Sequence, residues 1–211
     1  MAHDQYCDKD DVKNRIGLSG TSQDNNIDNA INGASRQIDA YCGRVFYKTE
    51  SAIAKKFDAF NPFYIELDDL EIANTTSLVV KLDTTDDGTY DTTLTLDTDF
   101  YLLPVNPKLI KNSGGTSYYE PYDQLRILET RSSERFDTQI HNNVEITAFW
   151  GFSTVPDAIK EATLLQATRL WKRKDAPFNV YGSADTGQVE LSSKFDTDAM
   201  ELIRGYKKRR L

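Results

Sequence analysis

The chain has 211 residues, 39% of them hydrophobic and 27% charged, enough to bury a core without disulfides or metal. No run approaches the roughly 18 apolar residues that a membrane helix needs. With a formal net charge of −8, the body is a poor candidate for wrapping DNA tightly, because phosphate affinity comes from cationic surface.

The opening "MAHDQYCDKDD" lacks the basic and apolar regions of a signal peptide. Two cysteines, Cys7 and Cys42, without CxxC spacing, point to free thiols in a reducing compartment. Residues 8–16 read as a short helix, with Asp8 offering a cap, Asp11 in the capping-box position and Gly17 as the left-handed stop. Residues 24–42 read as a second helix, with Ile27, Ile31, Ala34, Ile38 and Tyr41 on one face and Gly43 at its end. Asp28, Asn32, Ser35 and Asp39 fall on its wet face.

The period then changes. "AIAKKFD", "FYIELDD", "SLVVKLD", "TLTLD", "FYLLP", "LRILET" and "NVEITAFWGF" are short, rich in β-branched and aromatic residues, and bounded by turn residues. They predict six or seven strands over 50–152, in an antiparallel sheet or small barrel. Residues 104–124, with three prolines and Gly114–Gly115, read as a long loop.

Helical periodicity returns at 156. Pro156 suits the first helical position, Asp157 and Glu161 the positive end of the dipole, and Arg169, Lys172, Arg173 and Lys174 the negative end. Ala158, Ile159, Ala162, Leu165 and Leu170 can face a core. Leu164 and Trp171 widen the apolar arc toward a second contact, such as another subunit. Residues 179–194 read as a linker. Phe195, Ala199, Leu202, Ile203 and Tyr206 mark a last helix over 195–207. The fold class is therefore α+β: a helical bundle of residues 1–48 and 153–211, with a β-rich insertion at 49–152.

Charge is divided unevenly. Residues 64–101 hold ten acids against Lys81 alone, for a net −9. The end of the chain is basic, with Arg204, Lys207, Lys208, Arg209 and Arg210. Such blocks suit two surfaces facing two partners. The tail reads either as a solvated helix end complementing the dipole or as a basic peptide that docks on an acidic partner. In the second reading residues 204–211 are dispensable for folding.

Chemistry is sparse. "DTTDDGTYDTTL" at 83–94 partly resembles a calcium loop, but Thr85 and Leu94 replace ligands. A hairpin turn with "DDG" supplying the left-handed residue is the simpler reading. His3 lies near the terminus and His141 in the turn "QIHNN". The pairs Asp68–Asp69 and Asp86–Asp87 point to opposite faces if extended, and Cys42 reads as packing. No phosphate-binding motif and no nucleophile–base arrangement emerges, so neither catalyst nor cofactor is expected.

The order of three segments is more specific. "YCDKDDVKNRIGL", "IDNAINGASRQIDAYCGRVFY" and, after the β-rich middle, "FWGFSTVPDAIKEATLLQATRLWKRKDAPFNVYG" resemble the head–tail connector (adaptor) family of tailed bacteriophages. The resemblance covers roughly 6–47 and 149–182. It implies a structural virion protein assembled in the host cytoplasm: a ring, usually of twelve copies, seated beneath the portal, with DNA passing through without specific binding. A downstream tail or neck-completion protein would meet its lower loops, and the C-terminal Arg204, Tyr206, Lys207, Lys208, Arg209 and Arg210 would reach the portal. The other reading is a β-rich ligand- or calcium-binding module with helical flanks.

Overall fold

The computed structural model describes residues 5–70, 75, 77–112, 115, 117–174, 180–181, 189–190 and 195–208. Among these residues are four α-helices and antiparallel sheets, an α+β fold in which the sheets are open and form no barrel. The chain divides into two compact units, Met1–Phe46 with Val155–Leu211, and Tyr47–Thr154.

The helical unit contains α1 (Lys9–Ile16), α2 (Asp24–Cys42), α3 (Asp157–Arg173) and α4 (Thr197–Ile203), the last continuing into a 3₁₀ turn at Arg204–Tyr206. Gly17 and Gly43 stop the first two helices at φ 68° and 70°, as their positions predict. The Asp8 side chain does not cap α1. Lysines fasten this helix to α2 instead: Lys9 lies 3.1 Å from Asp28 and Lys13 2.5 Å from Asp24. Pro156 sits just outside α3, because its ψ of 142° is extended.

Ile27, Ile31, Ala34 and Ile38 are fully buried, as the 3.6-residue period requires. Ser35 departs from the expected wet face: it is 0% exposed. Its hydroxyl donates to the Ile31 carbonyl (2.9 Å) and accepts from the Tyr6 N–H (3.3 Å). A small hydroxyl can enter a core when its own helix satisfies it. Asp39 likewise turns inward to accept from the Tyr6 hydroxyl, and the Phe46 N–H donates to that same hydroxyl at 2.9 Å.

On α3 the buried set is Ile159, Ala162, Thr163, Gln166 and Ala167. Leu165, expected in the core, is half-buried. Two polar side chains stand inside because both are satisfied. The Thr163 hydroxyl donates to the Ile159 carbonyl at 2.7 Å, and the Gln166 amide donates to Gln37 at 2.7 Å while accepting from the Asp196 N–H at 3.0 Å.

In the β unit the strands are β1 (Ile53–Phe57), β2 (Tyr64–Leu70), β3 (Val79–Leu82), β4 (Thr92–Leu94), β5 (Phe100–Leu103), β6 (Leu109–Lys111), β7 (Ser117–Tyr119), β8 (Tyr122–Ile127) and β9 (Val144–Ala148). The seven sequence segments correspond to β1–β5, β8 and β9. The stretch 104–124 is not a plain loop: β6 and β7 pair within it, Leu109 opposite Tyr119. Within the supposed linker, β10 (Val180–Tyr181) pairs with β11 (Val189–Glu190). One sheet runs β1–β9–β3–β4 and the other β2–β8–β5. Inward residues of both, among them Val80, Leu82, Leu102, Leu125, Val144 and Ile146, join a single apolar cluster with Phe136 and Trp150. Period-two alternation puts these residues on one face of each strand.

Candidate assembly surfaces

Charge separates by unit. The β unit carries nine bases and eighteen acids, a net −9, whereas the helical unit carries sixteen bases and fifteen acids, a net +1. Lys207 and Lys208 lie where the chain beyond α4 and its 3₁₀ turn folds back on the end of α2.

That end is built from local rules. Asp196 caps α4, its Oδ1 accepting from the Asp198 and Ala199 N–H groups, and its Oδ2 takes an ion pair from Arg169 at 2.8 Å. With Gln166 on the Asp196 N–H, one residue joins α3 to α4. An acid immediately before "TDAM" is the sequence signal of this cap. Beyond α4, Tyr206 packs edge-on against Phe46 (5.7 Å between centroids), and the Lys208 N–H donates to the Cys42 carbonyl at 2.8 Å. The latter bond satisfies one of the carbonyls that a helix end leaves open. Lys207 Nζ lies 5.3 Å from the Tyr41 ring centre, and that ring stacks on Phe195 at 6.0 Å. A cavity of about 520 Å³ opens here, lined by Ala40–Gly43, Lys207 and Lys208.

Tyr206, Lys207 and Lys208 thus make contacts within this unit. Arg204 remains exposed, 3.8 Å from an equally exposed Glu201. Arg209 and Arg210 lie outside the described residues, as does His3. Leu164 and Trp171 are half-buried against the cluster of Cys7, Val12, Ile27, Ile31 and Ala167. The Trp171 indole N–H is buried and has no hydrogen-bond partner among the described residues, and Lys174 Nζ sits 4.9 Å from its ring centre.

The acidic loop 83–91 connects β3 to β4 as a hairpin, Leu82 opposite Thr92. Asp86 and Gly88 take the left-handed conformation (φ 58° and 80°). Asp83 is turned inward, Oδ1 accepting from the Thr85 and Asp86 N–H groups and Oδ2 from that of Gly88. Burial of Asp83 opposes ionisation, but these amides and that of Asp87 outweigh it and hold the carboxyl below its ordinary 3.8. The folded value is depressed, so this contribution to stability is complete above pH 3.8 and lost as pH falls through the folded value. Asp83→Ala is expected to lower the melting temperature at pH 7 and to flatten its fall below pH 4, checked by calorimetry on both proteins. Asp86, Asp87 and Asp91 stay exposed at the loop's surface.

His141 is a surface turn residue, its side chain 91% exposed and 3.8 Å from Asp58. Burial pushes the Cys42 thiol up to about 11 and the Cys7 thiol up to about 12, so neither is a ready nucleophile at neutral pH. Among the described residues no three His, Cys, Asp or Glu side chains group as a metal site.

The architecture is that of an α+β protein whose helical unit is interrupted by a β unit. It is shared with a solved chain from the structure described as the neck of an empty GTA particle, computed with C6 symmetry. That likeness has a TM-score of 0.52 at 13% identity and covers 96% of this chain and 90% of the other. No protein-family model and no curated protein sequence matches the chain.

Proposed function

We propose that the chain is a structural subunit of a phage-like virion neck: a connector ring, seated beneath the portal, through which DNA passes. The observation that carries this reading is the fold shared along 96% of the chain with a particle-neck chain. The order of the three connector-like segments supports it independently. A ring of twelve copies is compatible with the C6 symmetry imposed on that neighbour. Around such a ring, −8 per copy sums to a field on the order of tens of charges that repels DNA from the channel wall. Leu164 and Trp171 are the proposed edge of the contact between neighbouring copies. Electron microscopy of the purified neck tests the whole reading: the chain should form a closed ring between shell and tail, and its absence from that collar overturns it.

The basic tail is the proposed portal contact, with Arg204 and the two arginines beyond Lys208 as its reaching cations and Tyr206, Lys207 and Lys208 as its anchored base. Truncation after Lys208 is expected to leave the melting temperature unchanged and to weaken portal capture in a pull-down. Truncation after Ile203 also removes the Tyr206–Phe46 pair and is expected to cost stability, about 1–2 kcal/mol. Unchanged capture by the shorter truncation would remove the tail from the portal contact.

A further inference from the structure

Copies of this chain carry −8 each and repel at long range. Closing a ring therefore requires that unlike patches meet, and a rotational ring uses two different patches per subunit. The opening of roughly 520 Å³ at the end of α2, walled by Tyr41, Lys207 and Lys208, is cationic. Its size lies within the range of ordinary ligand sites. Its walls are fixed from within, because the Lys208 N–H is bonded to Cys42 and Lys207 rests over Tyr41. The β unit offers the complement. Loop 83–91 projects Asp86, Asp87 and Asp91 while the inward Asp83 carboxylate holds its backbone. Both patches are ordered before they meet, so little entropy is lost on contact.

We propose that the cavity formed by Tyr41, Lys207 and Lys208 receives the acidic loop 83–91 of an adjacent copy of the same chain. The contact is heterologous, lysine ammonium to aspartate carboxylate, and it rests on the ring-subunit reading above. It gives Lys207 and Lys208 a role between copies, separate from the cations that reach the portal.

The test uses the full chain, mixed one to one as ordinary and ¹⁵N-labelled protein at high concentration. A carbodiimide joins amines only to carboxylates that touch them. Mass spectrometry is expected to find mixed-isotope links between peptides containing Lys207 or Lys208 and peptides containing Asp86, Asp87 or Asp91. Their yield should fall about tenfold or more in D86K/D87K, where lysines face lysines, and vanish in K207E/K208E, which lacks the amines to be joined. It should return when those two variants are mixed, because each supplies what the other needs in trans. The milder D86N/D87N is expected to lower the yield without reversal, and circular dichroism checks the fold of every variant. Absence of these links, or links of one isotope only, overturns the proposal. If electron micrographs of the same sample then show closed rings, the ring reading stands and only this contact falls. Links in open chains of subunits would keep the contact and remove the ring.

Discussion

Gly151→Ala should unfold the β unit at denaturant concentrations where the parent stays native. Gly151 has φ 107°, and a Cβ built there would lie 2.0 Å from the Tyr47 carbonyl oxygen and 3.0 Å from its carbon. Both are backbone atoms and cannot swing aside. The strand-end pairing nearby is also fixed, since the Thr49 N–H donates to the Trp150 carbonyl at 2.9 Å and the Trp150 N–H to the Thr49 hydroxyl at 3.2 Å. Backbone strain alone costs about 1–3 kcal/mol, and relieving the overlap means separating residues that close the unit. A total loss above about 3 kcal/mol is expected, read as a shift of the urea midpoint. Gly205→Ala is the control: nothing lies within 4 Å of its Cβ position, so its midpoint should move little. A Gly151→Ala midpoint equal to the control's would show that this close approach is not required.

Ile159→Asp should collapse the helical unit. Ile159 is 0% exposed, and its carbonyl already accepts the Thr163 hydroxyl at 2.7 Å. The substitution removes a buried aliphatic side chain and inserts a carboxylate into the core. Cavity and desolvation together cost at least about 4 kcal/mol, against roughly 5–15 kcal/mol for a whole domain. Loss of helical circular dichroism or a strongly lowered melting temperature is the expected result. Leu165→Asp, on a half-buried position six residues further along the helix, should cost clearly less. Equal effects would mean the buried face of α3 is placed wrongly.

These two sites illustrate what a sequence exposes to reading and what it hides. The 3.6-residue period identified Ile27, Ile31, Ala34 and Ile38 because burial there is decided by one helix's own geometry. It misplaced Leu165 and passed over Gln166. On α3 the core is chosen by which neighbours approach, and Gln166 is admitted by Gln37 and Asp196, residues 129 and 30 positions away. Ser35 was placed outside for the same reason: its partner, the Tyr6 N–H, comes from 29 residues upstream. Seven strands announced themselves through β-branched runs. β6 and β7, three residues each, sit among Pro and Gly, where turn chemistry outweighs so short a pattern. Of the candidate assembly surfaces, the charge blocks were legible as composition. The cavity was not, since it arises only when Lys207 and Lys208 return to Ala40–Gly43.

The bond from the Lys208 N–H to the Cys42 carbonyl has a mechanical corollary. A pull applied beyond residue 208 does not first peel away a loose strap. It meets a peptide hydrogen bond at a helix end, then the Tyr206 ring wedged against Phe46, and passes into α2. Tension on residue 208 is therefore divided between the C-terminal end of α2, through Cys42, and the ring of Phe46, through Tyr206, and is not borne by the 3₁₀ turn alone.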